Sequence, residues 1–197
     1  MDSLKHSCLN EFMKKLSVFN FVSLDGYYKN THNDISWHQH GGEEAEFSAQ
    51  SMKSESALLF GRVTFEMMQS FWTTPEAAKT LPEVAKGMNR AKKYVVSRTM
   101  KNVTWENSNL LSGDLVDEVK KLKQNSDRDI TILGSGSLVT QLTDAGLIDA
   151  YQIMIDPVVL GDGASIFKGL EKQKVLKLKD TRMFKSGTVL LSYESNK

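Results

Sequence analysis

Cysteine and long apolar runs are nearly absent from this sequence of 197 residues, and each absence excludes a class of protein. Cys8 is the single cysteine, which excludes an intramolecular disulfide and every zinc cluster built on cysteines. No apolar run approaches the roughly 20 residues that a membrane-spanning helix needs. Residues 1–6 carry charges with no apolar stretch after them, which is not a secretory signal, so we expect a cytoplasmic protein.

An excess of charge of either sign is also missing. Lys and Arg number 25 against 24 Asp and Glu, which gives a formal net charge of +1. This balance offers no electrostatic reason to expect a nucleic acid or a membrane surface as the main partner. Length and composition are those of one globular domain, which we expect over 13–197 after a polar, disordered extension over 1–12. Met13 is then a candidate start of the functional chain.

Strand-like and helix-like segments alternate along most of the chain. Apolar, β-rich runs predict strands over 16–22, 57–60, 93–97, 129–133 and 150–155, and helical patterns predict helices over 43–56, 64–71, 83–90, 114–124 and 138–145. Loops are predicted over 29–42 and 73–82. Two C-terminal strands, 175–185 and 188–193, join across Ser186-Gly187 as a hairpin. This order predicts an α/β sandwich with a mostly parallel sheet and an antiparallel edge.

A glycine-rich turn, Gly134-Ser135-Gly136-Ser137, joins the strand ending at Leu133 to a helix. Free N–H groups at a helix N-terminus suit a phosphate, and glycines let that phosphate approach the backbone closely. A tight strand-to-helix connection with Ser137 as the N-cap is the structural alternative.

A Rossmann dinucleotide motif is a second alternative for this turn. Gly134-x-Gly136 matches the start of that motif, and Asp156 lies near the ~20-residue offset expected of its acidic residue. Val139, however, stands where the motif has its third glycine.

Two further strand ends suit an anion. The turn Gly61-Arg62-Val63-Thr64 opens a helix, and Ser97-Arg98-Thr99 places a cation between two hydroxyls. Parallel α/β sheets bind ligands at the carboxyl ends of their strands. Three such turns in one sheet therefore indicate a long diphosphate ligand such as a dinucleotide.

The order of these motifs resembles that of dihydrofolate-reductase-like proteins. The resemblance is carried by Ser23-Leu24-Asp25-Gly26, by 58–66, by 94–99 and by the glycine-rich turn. The branch it resembles most shares the fold of the riboflavin-pathway pyrimidine reductase, the C-terminal domain of the bifunctional deaminase–reductase. Ala145-Gly146-Leu147-Ile148-Asp149, Pro157-Val158-Val159-Leu160-Gly161 and Gly163 complete that branch's pattern, so the resemblance runs from about Lys14 to Ser195.

The resemblance implies a three-layer fold, NADPH bound along the carboxyl edge of the sheet, and a homodimer. Carried over by position, the contacts to the phosphates fall on Gly61, Arg62 and Thr64; those to the adenosine 2′-phosphate on Ser97, Arg98 and Thr99; and those to the pyrophosphate on Gly134, Ser135, Gly136, Ser137 and Leu138. The guanidinium of Arg98 is the physical reason to expect NADPH rather than NADH. Ser36-Trp37 resembles a motif near the nicotinamide pocket, although Trp37 is equally explained as an aromatic plug at the edge of the core.

The sequence departs from this branch in two ways that bear on the substrate. The riboflavin-pathway reductase has a Glu before its glycine-rich turn, where this chain has Leu133. The zinc-deaminase signature, H-x-E with P-C-x-x-C, is also missing. Both departures argue against the riboflavin substrate itself.

Carboxylates near the predicted cleft are the candidates for catalysis. Asp25 could orient the substrate or the cofactor amide, or could instead bond its own turn. Glu46 is the candidate on the first helix, where Glu43 and Glu44 also lie, although glutamates at a helix start commonly serve its dipole.

The loop over 29–42 carries Trp37 and the pair His38 and His40. We expect this loop to close over the substrate, with Asp25 and Trp37 in the substrate pocket. Either histidine is a conceivable proton donor, but no further metal ligands are marked, so no metal site is expected.

These observations predict an NADPH-dependent reductase that transfers a hydride to a small heterocyclic substrate, pyrimidine-like or pterin-like. The alternative is a non-catalytic NADPH-binding or nucleotide-binding regulatory protein on the same fold, which the absent Glu favours. A third interpretation is a dihydrofolate reductase proper.

Overall fold

The computed structural model describes residues 13–196, so the extension predicted over 1–12 lies outside the described residues. The strands in that range are β1 (Leu16–Ser23), β2 (Tyr27–Lys29), β3 (Ala57–Gly61), β4 (Lys93–Val96), β5 (Ser108–Leu111), β6 (Ile130–Leu133), β7 (Ala150–Asp156), β8 (Ala164–Ser165), β9 (Leu176–Met183) and β10 (Val189–Ser195). The helices are α1 (Gly42–Met52), α2 (Arg62–Trp72), α3 (Pro75–Thr80), α4 (Pro82–Arg90), α5 (Leu115–Asn125) and α6 (Gly136–Asp144). Of these helices, none has the length and the apolar character that crossing a membrane requires.

Eight strands form one sheet in the order β5-β4-β3-β6-β1-β7-β10-β9. Neighbours from β5 to β7 are parallel, whereas β10 runs antiparallel to both β7 and β9. Strands β2 and β8 pair separately as a small antiparallel sheet. The predicted α/β fold with an antiparallel C-terminal hairpin is confirmed. The Rossmann alternative is wrong, because that fold orders its strands 3-2-1-4-5-6.

Strand β3 shows why the sheet is a middle layer. The first four of its five residues, Ala57–Phe60, are all buried, with none of the alternation expected of a strand that has one face in contact with water. Leu59 packs into the core that contains the apolar residues of α5 and α6, while Leu58 and Phe60 pack with Phe65 of α2 and with α4. Helices on both faces therefore make three layers.

Four short elements were not predicted from the sequence, among them β2 and β8 of the small sheet. The loop predicted over 73–82 is wrong, because α3 forms there: Thr74 Oγ1 caps the Ala77 N–H group at 3.2 Å, and Pro75 is the first helical residue. Strand β5 was not predicted, since it is a short edge strand with little buried apolar surface.

Lys93 of β4 is a fully buried charged residue whose side chain caps the C-terminal end of α4. Its ammonium donates to the carbonyl oxygens of Met88 (2.9 Å), Asn89 (3.0 Å) and Ala91 (2.7 Å), and it lies 4.6 Å from the centre of the Trp105 ring. Burial lowers the pKa of Lys93 to about 8, which leaves the group mainly charged at neutral pH. Its three donors thus satisfy carbonyls that the end of a helix leaves without partners.

The substitution Lys93→Met is expected to lower the free energy of unfolding by about 2–4 kcal/mol, because buried carbonyls lose their donor. Urea denaturation followed by circular dichroism measures the loss. Lys92→Met is the matched control, since the Lys92 ammonium lies over the Tyr94 ring, 5.6 Å from its centre, with Asp127 as a nearby charge. It is expected to cost less than about 1 kcal/mol. Equal losses in the two variants would contradict the capping role.

Candidate functional site

Strand order brings the three predicted anion-binding turns together. Strands β4, β3 and β6 are neighbours and parallel, so their carboxyl ends meet at one edge of the sheet. The segments 97–99, 61–64 and 134–138 follow these strands in that spatial order. Segments far apart in sequence therefore form one continuous edge.

Ser135 connects two of these turns directly. Its hydroxyl accepts a hydrogen bond from the Gly61 N–H group (2.8 Å) and donates one to Thr64 Oγ1 (2.9 Å). Ser135 adopts a left-handed conformation with φ 61° and ψ 72°, immediately after Gly134, whose φ is also 61°. Helix α6 therefore begins at Gly136 with Ser135 as N-cap, so the alternative that placed the N-cap at Ser137 is wrong. The starts of α2 and α6 lie side by side as a result.

Glycines are required at this edge because there is no room for a side chain. A Cβ on Gly61 would lie 2.6 Å from the Ser135 hydroxyl oxygen, and one on Gly136 would lie 2.8 Å from Cε1 of Tyr28. Burial raises the pKa of the Tyr28 hydroxyl, against the opposing effect of the Gly136 N–H group. Two helix N-termini thus present backbone N–H groups at one place, which is the arrangement that binds phosphate groups.

Cations at the same edge are held only by weak surface pairs. Arg98 is 77% exposed in its side chain, and its nearest carboxylate partner is Asp114 at 3.8 Å. Arg62 pairs with Glu66 one helical turn away at 2.9 Å, with both side chains about half exposed. Exposed pairs of this kind contribute little stability, so both guanidinium groups are available to an anion.

The turn after β4 is held by its own side chain. Ser97 Oγ accepts from the N–H groups of Thr99 (3.2 Å) and Met100 (2.9 Å). Arg98, which lies within this turn, remains exposed.

A cavity of about 1450 Å³ extends from this edge along one face of the sheet. Its walls include Gly61, Arg62, Thr64 and the turn 134–137, and they continue into α1, α2 and the loop over 30–41. The segment 97–99 and Leu138 lie outside the described lining.

The two candidate carboxylates lie away from the cavity wall. Asp25 accepts hydrogen bonds from the Ser23 hydroxyl (2.6 Å) and from the N–H groups of Leu160 and Gly161, the nearest at 2.7 Å. The Ser23 bond is the main cause that lowers the pKa of Asp25, and burial opposes it. Asp25 therefore fastens the turn after β7 to the turn after β1. Glu46 is exposed on α1 and does not line the cavity.

The loop over 30–41 is anchored by a buried histidine that sequence reasoning did not place. His38 Nδ1 lies 2.8 Å from Asp156 Oδ2, and the imidazole stacks flat on Phe21 at 3.8 Å between ring centres. Trp37 meets the same Phe21 ring edge-on at 5.7 Å. Asp156 is thus the partner of His38 at the end of β7, not the ribose ligand of a Rossmann motif. No local signal could find this pair, because 118 residues separate its members.

His40 lies close to this pair, with its ring centre 4.7 Å from that of His38. Burial, reinforced by the neighbouring His38, lowers the pKa of His40. Within residues 13–196, no group of three or more His, Cys, Asp or Glu side chains is placed to hold a metal ion.

Comparison with known proteins identifies a family for this chain and solved structures with the same fold. Residues 14–192 match the model of the RibD C-terminal domain. The uncharacterized protein YyaP of Bacillus subtilis (strain 168) is 30% identical over 175 residues, which cover 89% of this chain and 92% of YyaP.

Two solved structures resemble the fold. A putative riboflavin biosynthesis protein from Shewanella sp. PV-4 superposes with a TM-score of 0.73 at 21% identity, covering 93% of this chain and 99% of that one. A dihydrofolate reductase from Enterococcus faecalis, complexed with NADP(H), gives a TM-score of 0.64 at 16% identity, covering 94% and 99%. The expected dihydrofolate-reductase-like fold is confirmed.

The contact between the two turns predicts the effect of a methyl group at position 61. Gly61→Ala is expected to lower the free energy of unfolding by about 1–3 kcal/mol, because its Cβ would collide with the Ser135 hydroxyl. Thermal and urea unfolding measure the change. Gly41→Ala is the control, since a Cβ there meets nothing within 4 Å. In a Ser135→Gly background the cost of Gly61→Ala should shrink, and purely additive losses would contradict the collision.

Proposed function

We propose, because the chain belongs to the RibD C-terminal domain family, that it is an NADPH-dependent reductase of a small heterocyclic substrate, pyrimidine-like or pterin-like. The family is related to the reductases of riboflavin biosynthesis. The observation that carries the proposal is the pairing of two helix N-termini through Ser135 beside the exposed Arg98.

The residues at the sheet edge fit a dinucleotide diphosphate. The N–H groups at the starts of α2 and α6 would bind phosphate oxygens, with help from the helix dipoles. Arg62 and the Thr64 hydroxyl would add a cation and a donor on one side. Glycines at 61 and 136 would let those oxygens approach the backbone where a Cβ would collide with a neighbouring side chain, and Gly134 has a positive φ that disfavours other residues.

Selectivity for NADPH over NADH is assigned to the turn after β4. A guanidinium forms strong, charge-assisted hydrogen bonds with a phosphate monoester. Arg98 is exposed and weakly paired at the outer end of the row of turns, where the adenosine 2′-phosphate of a bound NADPH would lie.

When bound, the cofactor supplies the hydride. The chain's own residues then hold the substrate beside it and keep water out. The cavity next to the turn 134–137 provides the space, and the loop over 30–41 provides one wall.

A second candidate function is a nucleotide-binding protein without catalysis. Leu133 favours it, since this side chain is buried in an apolar cluster just before the glycine-rich turn and offers no polar group to a substrate. NADPH oxidation with pterin, pyrimidine or quinone acceptors distinguishes the two functions.

The first test is calorimetric titration of the purified protein with NADPH and with NADH. Arg98→Ala is expected to weaken NADPH binding about tenfold, because a hydrogen bond to a charged group is lost, and to leave NADH binding unchanged.

Lys177→Ala is the matched control, since it removes a cation from β9 at the other edge of the sheet. No binding of either dinucleotide by the unaltered protein would refute the proposed function. Equal weakening of NADPH and NADH by Arg98→Ala would refute only the assigned role of Arg98.

A further inference from the structure

Strand β1 continues past the end of its neighbour β6. The pairing of β1 with β6 ends at Phe19, whereas its pairing with β7 on the other side continues to Ser23. We call the space beside residues 20–23, past the end of β6, the β1–β6 gap. The cavity at the sheet edge reaches this gap, because Asn20 and Phe21 are among its lining residues.

A buried amide, that of Asn20, lies at this gap. Asn20 is 4% exposed, and its Oδ1 accepts a hydrogen bond from the Phe21 N–H group at 2.9 Å. Alternate residues of β1 direct their backbone groups to β6, as Lys15 does in accepting from the Ile130 N–H group, so the Phe21 N–H group faces the gap. The amide that bonds to it therefore turns toward the gap as well. Its Nδ2 donor has no partner among residues 13–196.

Position 20 belongs to an apolar face of β1. Val18 and Val22 lie on the same face, two residues to either side, and both are buried in the core that includes Val139 of α6. An amide at such a position disfavours folding unless its groups are bonded, and native proteins leave few buried donors without an acceptor. The Nδ2 donor of Asn20 is therefore explained better by a ligand in the cavity than by the packing of the core.

The order of the strands assigns one end of the proposed cofactor to this gap. The row of turns follows β4, β3 and β6, and β1 is the next strand of the sheet. With the adenosine 2′-phosphate at β4 and the diphosphate at β3 and β6, the nicotinamide end falls at β1. That end carries a carboxamide, whose oxygen is an uncharged acceptor and so suits a buried donor. A ribose hydroxyl would bring a hydrogen that needs an acceptor of its own.

We propose that Asn20 is a cofactor-binding residue that recognises the nicotinamide: its Nδ2 donates a hydrogen bond to the carboxamide oxygen. This inference rests on the proposed function and adds the residue that holds the reactive end of the cofactor. A bonded carboxamide restrains the rotation of the ring, so the ring faces the substrate in one orientation. The turns at the sheet edge then determine where the cofactor lies, and Asn20 determines how its ring is oriented.

The contact is tested with NADPH and its thionicotinamide analogue, in which sulfur, a weak acceptor, replaces the carboxamide oxygen. In calorimetric titrations the unaltered protein is expected to bind NADPH about fivefold more tightly than the analogue, since one hydrogen bond accounts for that range. Asn20→Ala should remove most of this preference, because the donor is gone. Asn125→Ala is the matched control at an exposed position at the end of α5, and it should keep the preference within about twofold.

Two results of these titrations overturn the inference. One is equal binding of NADPH and the analogue by the unaltered protein, a comparison that needs no variant to fold. The other is a preference that Asn20→Ala retains in full, as it would if a ribose hydroxyl were the acceptor. Absence of binding of both NADPH and NADH by the unaltered protein contradicts the proposed function itself, so the two failures are distinguishable.

A purely structural role of Asn20 is tested with Asn20→Val, which continues the apolar face of Val18 and Val22. Without cofactor, the unfolding midpoint of this variant is expected to lie within about 3 °C of that of the unaltered protein, since half of the amide had no partner in the fold. Saturating NADPH should raise the midpoint less in the variant than in the unaltered protein. A larger fall of the cofactor-free midpoint, together with an unchanged preference for NADPH over the analogue, overturns the inference.

Discussion

Ser135 accepts a hydrogen bond from the Gly61 N–H group and donates one to Thr64, and these two bonds hold the starts of α2 and α6 together. A non-glycine residue in the left-handed region costs about 1–3 kcal/mol, so this geometry persists only because its surroundings enforce it. The enforcement comes from parallel β3 and β6, whose register fixes where both turns begin. The Ser135 hydroxyl is needed to link the two turns. Position 61 must be a glycine because a Cβ there would collide with that hydroxyl. The edge that we propose binds phosphate thus depends on one pair of residues, 74 positions apart in the chain.

The sheet itself follows from local chemistry that acts over a few residues. Apolar runs such as Ala57–Phe60 are buried whichever way their side chains point, so they form strands only where helices cover both faces of the sheet. The amphipathic pattern of α5 supplies one of these covers, with Leu115, Val119 and Leu122 in the core. The C-terminal strands alternate and carry charge, which suits the antiparallel edge where β9 is largely exposed. The parallel part of the sheet is therefore distinguished from the hairpin by burial, since its strands are buried on both faces and the hairpin is more exposed.

Sequence patterns predicted the principal strands, most of the helices and the three turns, because each is encoded within about ten residues. They did not predict α3, because a threonine followed by a proline is also typical of a loop. They did not predict β5, because this short edge strand has little apolar surface of its own and forms by pairing with β4. The candidate catalytic acids were harder to predict than the strands and helices. Asp25 lies in a turn of the right composition, but its carboxylate is engaged by N–H groups 135 and 136 residues later. The His38–Asp156 pair is equally non-local, so a single sequence offers no pattern from which to find it.

The cavity is built in two physically different ways, and this difference bears on which part of it can vary. The side proposed for the cofactor consists of two helix starts, glycines at which a Cβ would lie 2.6–3.0 Å from a neighbouring side chain, and one serine in the left-handed region, so we expect substitutions there to disturb folding. Its other side includes side chains on the exposed face of α2, where Val63, Met67 and Phe71 lie outside the core clusters of the described residues. Replacing them changes the shape and charge of the pocket at little cost in stability. Such a division lets the exposed side chains of α2 vary without disturbing the turns at the sheet edge.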